Sequence, residues 1–325
     1  MFFLRSIVAP QLRRSIRQLH YASSAAAIEA ERTIREGPRN DWARGEIKSI
    51  YDSPVLDLLF HGAQVHRHAH NFREVQQCTL LSIKTGGCSE DCSYCPQSSR
   101  YDTGLKAQKL MNKETVIQAA RKAKEAGSTR FCMGAAWRDT VGRKTNFNQI
   151  LEYVKDIRDM GMELIIIILI PQGILSNIIT TRSYDERLET LQFVRDAGIN
   201  VCSGGIIGLG EAEDDRVGLL HTLATLPTHP ESVPINALVP VKGTPLQDQK
   251  PVEIWEMIRM IATARIVMPK AMVRLSPAES GSPCLSRHYA FLPALGLVPK
   301  APSFGDDVEE AHEAEVSEHA VSSSG

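Results

Sequence analysis

Apolar and polar positions switch between two periods along this chain, and the switches mark its elements. Val55-Leu-Asp-Leu-Leu-Phe60 with Ala63 and Val65 repeats at helical spacing, so residues 29–78 read as mainly helical and polar. From Thr79 onward strand and helix patterns alternate. Strands are expected at Thr79–Lys84, Thr129–Met133, Met162–Ile170, Ile199–Cys202, Ser232–Val239 and Ala271–Leu275. Helices are expected at Lys113–Ala126, Phe147–Met160, Tyr184–Ala197, Asp215–Leu226 and Val252–Met268. In the first of these, Val116, Ile117, Ala120 and Ala123 share one face. Gly127, Gly161 and Gly198 follow three of the helices, where a glycine ends a helix in left-handed backbone. Alternation of this kind implies βαβ units and a parallel sheet. About six strands fall short of the eight units of a closed (β/α)8 barrel. A doubly wound open sheet is the alternative architecture.

The pattern fails at both ends. After Ser276 it is broken by Pro277, Pro283, Pro293, Pro299 and Pro302. Beyond Lys300 there is no Lys or Arg, while Asp306, Asp307, Glu309, Glu310, Glu313, Glu315 and Glu318 accumulate. Residues 277–325 therefore read as an irregular, disordered acidic tail. Residues 1–28 carry Arg5, Arg13, Arg14 and Arg17 and no acid, with apolar residues between the arginines and a small-residue run at Ala22-Ser-Ser-Ala25. That is the composition of a mitochondrial transit peptide, with a basic disordered tail as the plainer alternative. The barrel-type domain would then span 29–276.

Bulk composition narrows the function. With 43% hydrophobic and 23% charged residues the chain is an ordinary globular protein. A net charge of -1 offers no electrostatic case for nucleic acid or an anionic membrane. The longest apolar run, Leu164–Ile170, stops at Pro171, far short of the ~18 residues that span a bilayer. Seven cysteines are an odd number and three crowd one loop, unlike a secreted disulfide framework.

That loop, Cys88-Ser-Glu-Asp-Cys92-Ser-Tyr-Cys95, follows a strand and a Gly86-Gly87 turn. Three thiolates from one loop can hold three corners of an iron–sulfur cluster and leave the fourth iron open. A structural zinc site is the competing reading, but zinc wants four closed ligands and no second Cys/His pair completes the set. In parallel α/β folds ligands gather at the carboxyl ends of strands. Cys132, Cys202, Asn236 and Arg274 fall on expected strands or at their ends. Each alone is weak, because a lone buried cysteine is usually a small hydrophobe. The stretch Ser203-Gly-Gly-Ile-Ile-Gly-Leu-Gly-Glu211 lacks the order of a dinucleotide fingerprint, and licenses only close approach of a ligand to backbone. His66, His68 and His70 alternate, which reads more simply as a helix end than as a metal site.

These motifs carry a resemblance. Ser82–Tyr101 is similar to the cluster motif of the biotin synthase family of radical S-adenosylmethionine enzymes. Ala126–Trp137, Val201–Glu211, Glu231–Asn236 and Val273–Ser276 agree with the same family. The similarity covers residues 45–276. It implies a (β/α)8 barrel and insertion of sulfur into dethiobiotin to form biotin. It implies that Cys88, Cys92 and Cys95 hold a [4Fe–4S] cluster whose open iron chelates S-adenosylmethionine. Cys132, Cys202 and Arg274 match three of the four ligands of a [2Fe–2S] cluster that donates sulfur. Tyr94, Gly204, Gly205, Ile206, Gly208, Gly210 and Glu211 match the surroundings of S-adenosylmethionine, and Asn236 matches a substrate contact. The implied partners are dethiobiotin, an electron donor, iron–sulfur assembly proteins and a second copy of the chain in a homodimer.

Two departures qualify the resemblance. After Glu163 the family carries a strand with the remaining [2Fe–2S] cysteine, then a helix and a strand bearing Asn-x-Asn-x-Asp. Here Leu164–Ser176 intervenes and the family pattern resumes at Asn177–Arg182. After Ser276 the chain enters Pro277–Cys284 and resembles the family again only near Leu295–Pro302. Both junctions rejoin in frame, as translated intron sequence or an alternative splice would. The expected barrel is therefore incomplete. A catalytically inert remnant, binding at most the [4Fe–4S] cluster, is the second reading of this sequence.

Overall fold

A computed structural model describes residues 23–138, 144–163, 166–167, 174–196, 198–274 and 298–299. Three helices come first: α1 (Ala25–Glu36), α2 (Arg44–Tyr51) and α3 (Val55–Ala69). A short strand β1 (Glu74–Val75) leads to β2 (Cys78–Lys84). Then come α4 (Lys113–Glu125), β3 (Arg130–Ala135), α5 (Lys144–Asp159) and β4 (Ile166–Ile167). The next elements are α6 (Leu175–Ile178), α7 (Tyr184–Asp196), β5 (Val201–Cys202), β6 (Gly205–Ile207) and α8 (Glu213–Ala224). The described chain closes with β7 (Ser232–Ala237), α9 (Ile254–Val267), β8 (Met272–Arg274) and β9 (Val298–Pro299).

Every strand pairing is parallel. β2 pairs β3, and Arg130 of β3 bridges Glu163 just before β4. β4 pairs β5, β5 and β6 both pair β7, and β7 pairs β8. Strands thus add in chain order with helices between them, which is the winding of an α/β barrel wall. The expected barrel class holds, as an open arc of six strand positions among the described residues, with β5 and β6 sharing one position. β1 pairs β9 separately.

Helices cover the outer face of the arc in two packed groups. Ile83 of β2 and Phe131 of β3 pack under Val116, Ile117, Ala120 and Ala123 of α4 and Tyr153 and Ile157 of α5. α1, α2, α3, α8 and α9 share the larger core with β5, β6 and β7. Fully burying side chains such as Ile47, Ile50 or Phe131 contributes about 1.5–3 kcal/mol each. The alternation along β2 sends Leu81 and Ile83 into the helix layer and leaves Cys78, Leu80 and Ser82 on the opposite, inward face. Leu80 is 49% exposed there, so the concave side of the arc is open.

Three expectations change. The strand expected at Met162–Ile170 is described as the Glu163 bridge and the two residues of β4; residues 164–165 and 168–173 lie outside the described residues. The glycine stretch after Cys202 is not a simple strand exit, because Gly205–Ile207 resumes the strand as β6. The close approach of Gly204 to β7 interrupts the strand without ending it. The tail expected from 277 onward includes one ordered pairing: Val298–Pro299 pairs in parallel with Glu74–Val75.

At the other end the expected leader boundary overlaps α1. Ser24 caps that helix, accepting the Ala27 amide, and Ala26 and Ala30 are buried in the core. The basic segment 1–22 lies outside the described residues, as does Cys284.

Candidate active site

The cysteine loop leaves the carboxyl end of β2. Lys84 Nζ donates to the Gly86 carbonyl at 2.6 Å. Gly86 and Gly87 hold φ of 70° and 68°, and a Cβ on Gly87 would lie 2.8 Å from Ala107 Cβ. Only glycine takes that backbone in that space. The loop then closes on itself. The Cys88 amide donates to the Gln97 carbonyl (2.9 Å), the Ser99 amide donates to the Cys88 carbonyl (2.8 Å), and the Cys95 amide donates to the Cys92 carbonyl (3.0 Å).

The two acids between the cysteines tie this loop to the segment after α6. Arg182 Nε donates to Glu90 Oε1 at 2.9 Å, and the Thr181 hydroxyl donates to the same carboxylate. The Thr180 amide donates to Asp91 Oδ1 at 3.0 Å, and its hydroxyl reaches the other oxygen. Burial alone would raise the Asp91 carboxyl; the Thr180 bonds hold it below its ordinary value. The Ser93 amide and hydroxyl donate to the Ile178 carbonyl at 2.8 and 3.0 Å. Residues 177–182, where the family-like pattern resumes, thus act as the outer brace of the loop.

All three loop thiols are half-buried. Burial pushes the Cys92 thiol up to about 12, with Cys95 and Cys88 adding to the shift. Among the described residues no three His, Cys, Asp or Glu side chains form a cage around a single ion. A cluster asks for something wider, since each thiolate takes a different iron. Tyr94 packs with Cys92 against the larger core, and burial raises its phenol.

A second group of sulfurs lies on the inward face of the arc. Cys78 of β2 and Cys132 of β3 have Sγ atoms 3.3 Å apart. Arg274 of β8 donates through Nη2 to Cys202 Sγ of β5 at 3.1 Å. Arg274 feels the charge of Cys202, Cys78 and Cys132, which together raise its pKa against the opposing effect of burial. Its Nε is buried with no hydrogen-bond partner among the described residues. The bond to Cys132, opposed by burial and helped by the Arg274 and Arg130 guanidiniums, brings the Cys78 thiol down to about 6. The same bond, with burial, pushes Cys132 up.

Arg130 supports this face from below. Its guanidinium pairs with Glu163 at 2.6 Å, with side chains only 3% and 5% exposed, and its Nη1 reaches Ser232 Oγ at 3.5 Å. Gln76 donates to the same Glu163 oxygen at 2.8 Å. The Glu163 carboxylate is thus compensated from two sides, as a buried charge must be.

The glycine stretch borders the same face. A Cβ on Gly204 would lie 1.9 Å from the Pro234 carbonyl oxygen, so backbone meets backbone there. Ile206 stands in register with Asn236 of β7. Glu211 turns inward on its own turn: its carboxylate accepts the Gly208 and Leu209 amides at 2.7 Å each and Arg216 Nε at 2.8 Å. Arg216 continues to Glu256, which also accepts the Tyr51 hydroxyl at 2.9 Å. Glu211 therefore shapes the Gly208–Gly210 turn through its side chain.

Elsewhere, His66 and His68 occupy the last turn of α3, and His70 Nε2 meets the Pro269 carbonyl at 2.9 Å. Burial lowers His66 to about 4. A surface cavity of about 640 Å³ between α1 and α3 is lined by Ala27, Ile28, Glu31, His61 and Arg67, and it contains none of the expected site residues.

The structure brings Cys132, Cys202 and Arg274 to one face, with Cys202 and Arg274 ending β5 and β8 and Cys132 inside β3 rather than near its end. It adds residues that sequence reasoning passed over: Cys78, the Glu90–Arg182 and Asp91–Thr180 braces, and the Arg130–Glu163 pair. The sequence reading left Cys78 at the end of the helical segment, one residue before the strand expected at Thr79, whereas β2 begins at Cys78. Nothing in the sequence indicated that it faces Cys132.

Comparisons with known proteins bear on the family and the fold of the chain. Residues 234–280 match the Biotin and Thiamin Synthesis associated domain. The mitochondrial biotin synthase of Arabidopsis thaliana is 62% identical over 371 residues, covering 97% of this chain and 98% of the plant protein. The aligned length exceeds the 325 residues of this chain, so the plant protein has stretches without a counterpart here. Biotin synthase of Cytophaga hutchinsonii is 57% identical, covering 73% of this chain and 77% of the bacterial protein. Among solved structures, methylornithine synthase aligns with a TM-score of 0.69 at 15% identity, covering 84% of this chain and 97% of that one. An FeFe-hydrogenase maturase from Carboxydothermus hydrogenoformans aligns at 0.63 and 15%, covering 95% of this chain and 80% of that one. These structures share the fold.

Proposed function

The chain belongs to the biotin synthase family, and from that premise we propose that it inserts sulfur into dethiobiotin to form biotin on the concave face of the arc. The observation that carries the reading to particular residues is the gathering of Cys132, Cys202 and Arg274 from three strands on one face.

Cys88, Cys92 and Cys95 would hold the [4Fe–4S] cluster, and Cys132, Cys202 and Arg274 would belong to the [2Fe–2S] site. The donor chemistry fits both. The loop offers three half-buried thiols on pinned backbone, and Arg274 has a buried Nε with no partner among the described residues. When bound, the first cluster supplies the electron that cleaves S-adenosylmethionine and the second supplies the sulfur atom.

The rest is the work of this chain's own groups. Glu90 and Asp91, held by Thr180–Arg182, fix the orientation of the three loop thiols. Gly204 lets the backbone close against β7, and Glu211 holds the following turn, so that S-adenosylmethionine is received on backbone from Gly204 to Gly210 with Tyr94 beside it. Asn236, on the adjoining strand beside Ile206, is placed to orient dethiobiotin. Arg130 and Arg274 bring positive charge to the inner thiols and so favour their ionised form.

Relatives from Arabidopsis thaliana and Emericella nidulans are named mitochondrial, which with the basic segment 1–22 supports a mitochondrial location for this chain. Cleavage before Ser24 would spare the cap of α1. An electron donor and iron–sulfur assembly proteins are the remaining partners this chemistry requires, and self-association as a homodimer is part of the same reading. A match over nearly the whole of both chains favours the working enzyme over an inert remnant.

The test is growth. Expressed in a biotin-requiring strain lacking its own synthase, the chain is expected to restore growth on dethiobiotin, and Cys92→Ala is expected to abolish the rescue. Stable expression without rescue by the unaltered chain would overturn the proposal.

A further inference from the structure

We propose that Cys78 is the third thiolate of the second iron–sulfur site in this chain, completing Cys132, Cys202 and Arg274. This rests on reading those three residues as ligands. A [2Fe–2S] cluster takes four terminal donors, two on each iron. Those three residues leave one place open. Among the described cysteines, three belong to the loop and two to the site, and Cys78 is the one remaining.

The geometry places it there. Cys78 Sγ is 3.3 Å from Cys132 Sγ, and Arg274 Nη2 is 3.1 Å from Cys202 Sγ. The donors therefore come in two pairs, the number a two-iron cluster requires. Two thiolates on one tetrahedral metal, with bonds of about 2.3 Å, lie roughly 3.8 Å apart. The Cys78–Cys132 pair needs to open only slightly to reach that spacing.

The strands explain why the pair forms. β2 and β3 run parallel with Leu80 opposite Cys132, so Cys78 sits one pleat behind on the same face. Thr79, on the other face, bonds Ser128 at 2.7 Å and fixes the pleat at this point. The site is thus carried on paired strands, which hold a ligand set more rigidly than a loop. Each cysteine enters the cluster as thiolate and releases its proton. Arg130 and Arg274 offset the negative charge that accumulates.

The test uses the full chain, reconstituted anaerobically with ferrous iron and sulfide. The unaltered chain is expected to show both clusters by iron and sulfide content and Mössbauer spectra. Cys78→Ala is expected to lose about two irons and two sulfides per chain, with the [2Fe–2S] signature, and to keep the loop cluster. Cys132→Ala should lose the same. If Cys132→Ala loses the second cluster and Cys78→Ala keeps it, Cys78 is not a ligand, although the site stands. If the unaltered chain binds only the loop cluster, both the site and the role of Cys78 fall.

A second readout needs no substitution. In the metal-free chain diamide should join Cys78 to Cys132. The two thiols lose two electrons and two protons, diamide is reduced to the hydrazine, and peptide mass mapping detects the disulfide. Loading the clusters first should cut the disulfide yield at least tenfold. Equal yields from loaded and metal-free protein would overturn the proposal.

Discussion

Gly204 is the position on the concave face where chemistry and packing meet most closely. A methyl group there would overlap the Pro234 carbonyl oxygen, which lies 1.9 Å from the place of a Cβ. The obstacle is backbone on both sides, so no side chain can swing away to make room. Gly204→Ala is expected to lower stability by at least about 1–3 kcal/mol, the range for overpacking. Thermal melting of the metal-free chain would read it, and an unchanged midpoint would mean that β6 and β7 are farther apart than described. Cys132, Cys202 and Arg274 were legible in the sequence because each sits in a stretch resembling one family. Cys78 was not, because a single cysteine on a strand has the same local pattern whether it packs as a small hydrophobe or faces another thiol. Only the pairing of β2 with β3 separates the two cases.

At the scale of elements, the cysteine loop depends on a segment far along the chain. Glu90 and Asp91 look from the sequence like ordinary polar spacers between cysteines. In the structure Glu90 is buried and bonded to Thr181 and Arg182, and Asp91 to Thr180. Removing the charge of Glu90 leaves the Arg182 guanidinium without its carboxylate partner, at a cost of about 1–3 kcal/mol locally. Glu90→Gln is therefore expected to lower [4Fe–4S] occupancy severalfold while the far-ultraviolet circular dichroism stays unchanged. Full cluster content in that variant would show that the brace is dispensable. The positions of α4, α5, α7, α8 and α9 were legible to within a few residues, from the apolar face of α4 and from the glycines that follow α4, α5 and α7. The interruption between β5 and β6 was not, because it arises from contact with a strand about thirty residues later in the chain.

At the scale of the whole molecule, the described residues form an arc of parallel strands backed by helices, with an open concave side. Its class was legible from alternating periods and glycine helix ends. The number of strands was legible too: the described residues form six strand positions, short of the eight of a closed barrel. What the sequence pattern alone could not give was the convergence of four side chains from β2, β3, β5 and β8, because that follows from how the strands curve together. The same convergence makes the central claim testable in one measurement. The reconstituted chain, its second cluster assembled with isotopically labelled sulfide, is given dethiobiotin, S-adenosylmethionine and a reductant for a single turnover without oxygen. The account predicts biotin carrying the labelled sulfur, at no more than one per chain. Cleavage of S-adenosylmethionine with no biotin formed, or biotin without the label, would contradict it.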